Sequence, residues 1–171
     1  MKDKIILASI KLLENFSVKF TVDDIKNELK ISKKTIYKYF ESKDELAHAV
    51  FNYIIDNCIT AQNNILESKQ KPLDKMVLCF LEYMQILKLQ SDKIVEMYVQ
   101  NEQILAEIKE KSDTNWQWLM ATYHSFVKQN ELKKIDDDIL KIIVEAILKS
   151  IYFANNKAEV GLACIKEVIK K

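Results

Sequence analysis

The groups best able to do chemistry with a partner lie between residues 30 and 43. Lys30, Lys33, Lys34, Lys38 and Lys43 stand there against one acid, Glu41, so the window carries +4 (5 − 1) in a chain whose formal net charge is +1. Thr35 and Tyr37 are interleaved with the cations, and Ser32 and Ser42 flank them. Ammonium groups neutralise phosphates, and hydroxyl and ammonium groups on a helix can reach base edges in a major groove. Taken alone, a lysine-rich helix is more often a solvated face. What separates the two readings is the set of elements that carries the window.

Apolar residues at helical spacing predict a first helix over roughly residues 2–16. Thr21 followed by Asp24 forms a capping box and opens a second helix, with Val22, Ile25 and Leu29 on one face. Ser32 is the next N-cap, preceded by the apolar anchor Ile31, and a third helix follows from Lys33 to about Phe40. Ser42 with Glu45 is a full S-x-x-E box that starts a long fourth helix to about Leu66. On a helical wheel Ile36 and Phe40 face inward, leaving Lys33, Lys34, Tyr37 and Lys38 outward and Thr35 near the first turn. Three helices, the last two separated by a turn of three or four residues, make a helix-turn-helix pattern. The capped starts of the third and fourth helices, with Lys43 at the latter, also point N–H groups toward phosphate.

The rest of the chain agrees with helices throughout. Among 171 residues, 49% are hydrophobic and 30% charged, with one Gly and one Pro, too few turn formers for a sheet protein. The expected architecture is all-α. A DNA-binding domain over residues 1–48 is joined through the long fourth helix to a helical effector-binding and dimerisation domain over 49–171, about nine helices in all. Later helices are expected over 73–89 after Pro72, then 92–111, 113–131, 137–155 and 158–170. Cys58, Cys79 and Cys164 are odd in number and lack CxxC spacing, which argues against a disulfide framework or zinc site and for a reducing cytoplasm. The N-terminal MKDKIILASIKLLENF reads as an amphipathic helix rather than a signal peptide, because Ser9, Lys11 and Glu14 interrupt it at helical spacing. No run approaches the ~18 apolar residues of a membrane span.

The stretch TVDDIKNELKISKKTIYKYFESKDEL, within residues 4–53, resembles the DNA-binding domain of TetR-type transcriptional regulators. It follows the pattern of a threonine-led second helix, a turn ending in Val/Ile-Ser, then T-[LI]-Y-x-[YH]-F-x-x-K-x-x-L in one ungapped register. The resemblance covers under a third of the chain. It implies that Thr35 and Tyr37 touch DNA from the recognition helix with Lys33, Lys34 and Lys38 nearby, that Lys43 meets phosphate, and that Thr21 caps the second helix and meets the DNA backbone. Ser32 joins them as the cap of the third helix. Three positions depart from the pattern: Lys30 and Ser17 stand where Gly is common, and Lys26 stands where a small Ala is usual. A left-handed non-Gly residue costs about 1 kcal/mol, so a slightly remodelled turn and an outward-snorkelling Lys26 are expected. The chain has no Arg, which removes bidentate guanine reading and shifts specificity onto Lys, Thr and Tyr contacts and DNA shape.

The apolar face of residues 137–170 is broader than a terminal hairpin needs. The resemblance implies that these last two helices form a homodimer, so that two recognition helices meet a palindromic double-stranded operator. Phe80, Tyr83, Met84, Met97, Tyr98, Trp116, Met120, Tyr123 and His124 could line a pocket for a small apolar or amphipathic effector, although any helical core has such residues. His48 and His124 read as packing or surface residues rather than metal ligands, and no cofactor is indicated. A single Gly, no G-x-S-x-G and no distinctive carboxylate pair argue against an enzyme. The functional expectation is a ligand-released repressor. The alternatives are a DNA-binding protein of the same fold without a small effector, and a helical interaction adaptor whose basic helix is a solvated face.

Overall fold

The structure, a computed structural model, describes residues 1–15, 21–89, 102–153 and 158–171. These form eight helices: α1 Lys2–Asn15, α2 Val22–Leu29, α3 Lys33–Tyr37, α4 Lys43–Glu67, α5 Pro72–Lys88, α6 Glu102–Lys128, α7 Asp137–Phe153 and α8 Ala158–Ile169. The one bridge between extended residues among them is antiparallel, Leu132 to Lys170. None of these helices is long and apolar enough to cross a membrane. The chain divides into two compact units, Met1–Asp56 with Leu89–Lys109, and Asn57–Lys88 with Glu110–Lys171.

In the first unit α1 packs on α2 and α2 on α3. Ile5, Ile25, Ile36, Phe40, Leu46 and Val50 are buried there. Ser9 is buried as well, although its polarity suggests an outward position: its hydroxyl donates to the Ile5 carbonyl one turn back (2.8 Å), so burial leaves no orphan group. The turn between α2 and α3 is not remodelled. Lys30 itself takes the left-handed conformation (φ 52°, ψ 42°). The Ile31 N–H reaches the Lys26 carbonyl (3.1 Å) and the Lys30 N–H the Asn27 carbonyl (3.4 Å), which is the Schellman closure that glycine usually serves. Lys30 therefore carries strain of about 1–2 kcal/mol. Lys30→Gly removes it against an entropy cost of about 0.5–1 kcal/mol, so a net gain of about 0.5–1 kcal/mol is expected. A urea midpoint equal to or below wild type would show that no strain resides there.

The second unit is built from α5 packed against α7 and α8, which also pack on each other, and from the parts of α4 and α6 that fall within it. Gly161 permits the α7–α8 approach: a Cβ there would stand 2.5 Å from Ile151 Cδ1 and 3.1 Å from Ile147 Cγ2. Pro72 is the first residue of α5, where its missing N–H is not needed. Asp136 caps α7, its Oδ1 accepting the Asp138 and Ile139 N–H groups at 3.1 and 3.2 Å.

One expected boundary fails. Helices over 92–111 and 113–131 were to meet at Ser112, whereas α6 runs unbroken through that position. Ser112 is buried in the helix and its hydroxyl bonds to the Tyr83 hydroxyl at 3.1 Å. The residue at the expected break between two helices is an interior polar contact. Residues 90–101, over which the first of those helices was to begin, lie outside the described residues, as does Ser17.

Candidate nucleic-acid interface

The interface is assembled by three caps. Thr21 accepts the Asp24 N–H at 3.3 Å, while the Asp24 carboxylate accepts both the Thr21 N–H (2.6 Å) and its hydroxyl (2.8 Å). This fixes the start of α2, and it commits the Thr21 hydroxyl proton to Asp24. Ser32 Oγ accepts the Thr35 N–H at 3.0 Å and lies 2.8 Å from Thr35 Oγ1, so both hydroxyls are engaged at the start of α3. Ser42 Oγ accepts the Glu45 N–H at 3.0 Å, and Glu45 in turn accepts the N–H of Glu41. The reciprocal arm of that box thus falls one residue earlier than the sequence pattern implies.

α3 is shorter than the predicted stretch to Phe40. It ends at Tyr37, and a turn closes it through Tyr39 N–H and Phe40 N–H, both donating to the Ile36 carbonyl (2.9 and 3.1 Å). Ile36 and Phe40 are each 1% exposed, so the i, i+4 pair points into the domain as the wheel indicates. The opposite face presents Tyr37, 46% exposed, with Lys34 and Lys38, both exposed. Neither lysine has a carboxylate partner among the described residues. Lys43 is exposed at the start of α4, where Asp44 and Glu45 also occupy the first turn.

Lys33 is placed differently. Its Nζ turns back onto α2 and pairs with Asp23 at 2.7 Å, and Asp23 also lies 3.5 Å from Lys26. The Lys33 hydrogen bond holds the Asp23 carboxyl below its ordinary range, and Asp23 raises the Lys33 ammonium. Lys26 does reach outward: it is half-buried, and its ammonium lies 3.5 Å from Asp23. Asp23 and Tyr39 are the neighbours that the sequence reading left out. Tyr39 is 37% exposed beside Tyr37 and Lys38, and its offset from the inward pair Ile36 and Phe40 is the signal that could have found it. The Lys2 ammonium lies over the buried Phe40 ring, 5.2 Å from its centre.

The described members of the set expected to line a pocket lie in the second unit, where Phe80, Tyr83 and Trp116 pack on one another. Phe80, Tyr83, Trp116, Met120 and Tyr123 are buried and Met84 is half-buried. Trp116 stacks with Phe80 at 5.8 Å and tilts against Tyr83 at 5.4 Å. Gln62 and Asn115 are buried nearby and exchange amide hydrogen bonds of 2.8 and 3.3 Å, and Gln62 also donates to the Cys79 carbonyl at 3.2 Å. Among the described residues no buried side-chain N or O atom is left without a partner. The Tyr123 hydroxyl donates to the Lys133 carbonyl. His124 pairs with Asp137 at 2.9 Å, and in the first unit His48 pairs with Glu107 at 2.7 Å. Met97 and Tyr98 lie outside the described residues. A cleft of about 430 Å³ opens elsewhere in this unit, where Val77, Leu78 and Leu162 line it and Lys166 reaches Asp74 at 2.6 Å; none of the predicted pocket residues borders it.

A capped helix-turn-helix with an outward cationic and phenolic face defines a DNA-binding protein. Comparison with known proteins agrees. Residues 5–50 match the sequence profile of the family described as bacterial regulatory proteins, tetR family. A Bacillus subtilis (strain 168) protein described as the uncharacterized HTH-type transcriptional regulator YvaF is 20% identical over 156 residues, spanning 89% of this chain and 81% of that one. Solved structures show the same fold. A TetR/AcrR-family regulator from Thermobifida fusca aligns over 98% of this chain and 94% of its own, with 19% identity and a TM-score of 0.66. The ketosteroid transcriptional regulator KstR2 of Mycobacterium tuberculosis aligns over 99% and 95%, with 16% identity and a TM-score of 0.70. Residues 5–50 are thus similar to the DNA-binding domain of the tetR family, and the chain as a whole has the fold of the solved TetR-type regulators.

Proposed function

We propose that the protein is a cytoplasmic, homodimeric repressor that occupies a palindromic operator and leaves it when a small apolar or amphipathic effector binds the second unit. The observation that carries the DNA-binding part is the exposed face of Lys34, Tyr37 and Lys38 on a helix whose other face is anchored by Ile36 and Phe40. Thr21, Ser32, Thr35 and Lys43 complete the contact set in this reading, the hydroxyl residues mainly by fixing the helix starts. The dimer is supported by α7 and α8, which leave Ile139, Ile142 and Val160 at 54%, 68% and 59% exposure, an apolar face that a second copy would cover. If the pair neutralises roughly six to eight phosphates, the logarithmic salt slope is about −5 to −7.

The test is a gel shift on the DNA upstream of the protein's own gene, with sedimentation of the free protein to establish the dimer. Lys34→Ala is expected to weaken binding about equally on all sequences and to flatten the salt slope, while Tyr37→Ala weakens the operator more than random DNA. Binding that is absent, or unaffected by salt and by both substitutions, would favour the adaptor instead. A second reading, a regulator without a small effector, draws support from the packing of Phe80, Tyr83 and Trp116 on one another and the closed Gln62–Asn115 pair.

A further inference from the structure

The recognition helix brings three lysines to the surface, Lys33, Lys34 and Lys38, yet they are not equivalent. Lys34 and Lys38 extend without a carboxylate partner among the described residues, whereas the Lys33 ammonium is held at 2.7 Å by Asp23 from the first turn of the neighbouring helix. Asp23 is also within 3.5 Å of Lys26, so one carboxylate sits between two cations at the edge of the DNA-reading face. An ion pair this exposed, with each side chain about half in solvent, contributes little to folding. Its consequence lies in which charges remain for DNA. Affinity for duplex DNA depends on how many phosphates are neutralised and how many counterions leave, and each such contact adds about 0.9 to the steepness of the salt dependence.

We propose that Asp23 is a positioning residue of the DNA-binding domain that holds the Lys33 ammonium on α2 and withholds it from DNA phosphate. The phosphate contacts of the recognition helix are then made by Lys34 and Lys38. Asp23 thereby sets the salt sensitivity of binding without touching a base. The lowered Asp23 carboxyl and raised Lys33 ammonium keep both partners charged throughout the neutral range, so the pair is not released by ordinary changes of pH.

The experiment is a double-mutant cycle on the salt slope. Intact wild-type protein, Asp23→Asn, Lys33→Gln and the double variant are titrated by fluorescence anisotropy against a labelled random-sequence duplex over a series of salt concentrations. Asp23→Asn is expected to steepen the slope by about 0.9 per bound chain, Lys33→Gln to leave it at the wild-type value, and the double variant to match Lys33→Gln. A purely structural role for the pair would move affinity without this pattern of slopes. Three results overturn the proposal: a slope flattened by Lys33→Gln alone, a slope unmoved by Asp23→Asn, or an Asp23→Asn increment that survives in the double variant. The last would mark a through-space charge effect. A wild-type protein with no salt-dependent binding would instead remove the DNA-binding assignment itself, and this proposal with it.

Discussion

Phe40→Ala is expected to abolish DNA binding although Phe40 faces away from DNA. Its ring is 1% exposed in the core that also buries Ile25, Ile36 and Leu46, and the Lys2 ammonium lies over it. Truncating a buried Phe to Ala costs about 3–5 kcal/mol, the transfer free energy plus the cavity left behind. A whole domain commonly has only 5–15 kcal/mol of net stability, and this unit is small. α3 is five residues long and cannot hold itself helical; it depends on Ile36 and on the turn that ends at Phe40. The expected measurement is loss of the gel-shifted complex together with a lowered thermal midpoint by far-UV circular dichroism. Phe40→Leu, which keeps most of the volume, should retain binding. A Phe40→Ala protein that binds as tightly as wild type would show that the orientation of α3 does not depend on this core.

The features legible in the sequence are those whose physics is local. Thr21 with Asp24, Ser32 and Ser42 announce three helix starts because a cap is satisfied within three residues, and the structure places a helix after each. Ile36 and Phe40 are legible as an inward pair because helical period alone decides their side. What escapes is set by partners distant in sequence. Ser112 stands at the expected break between two helices, yet it is an interior contact of one helix, bonded to Tyr83, 29 residues away. Lys33 lies on the outward arc of the wheel, but the wheel of α3 contains no Asp23. Lys30 illustrates the opposite error: its side chain argued for a changed turn, whereas the backbone hydrogen bonds of the Schellman closure outweigh a strain of about 1–2 kcal/mol. The aromatic residues of α5 and α6 could be recognised as a cluster from composition, but only three-dimensional packing distinguishes rings that line a space from rings that fill it.

The second unit should lose stability steeply above about pH 9, for a reason lodged in that same core. Cys58 and Cys79 are buried, their thiols facing the Glu82 and Gln62 carbonyls, and the Tyr83 hydroxyl is bonded to Ser112. Burial, reinforced by the Glu82 carboxylate, pushes both thiols from 9.0 up to about 12, and burial pushes the Tyr83 phenol from 10.0 up to about 12 against the opposing Ser112 hydrogen bond. Each group is neutral when protonated, so a raised value means that the folded state keeps a proton the unfolded chain gives up. Below about pH 9 both states are protonated and the groups add no pH dependence. Between about 9 and 12 the unfolded chain binds fewer protons, and stability falls by about 1.4 kcal/mol per pH unit for each titrating group. Urea denaturation followed by tryptophan fluorescence reads this unit specifically, since Trp116 and Trp118 both belong to it. The Cys58→Ala/Cys79→Ala variant starts lower because of the lost packing, but its stability should decline less between pH 9 and 10 than that of wild type. Equal declines would mean that the thiols ionise as readily in the fold as outside it. In the native protein near neutral pH, an aromatic disulfide reagent should accordingly reach the buried Cys58 and Cys79 only on unfolding.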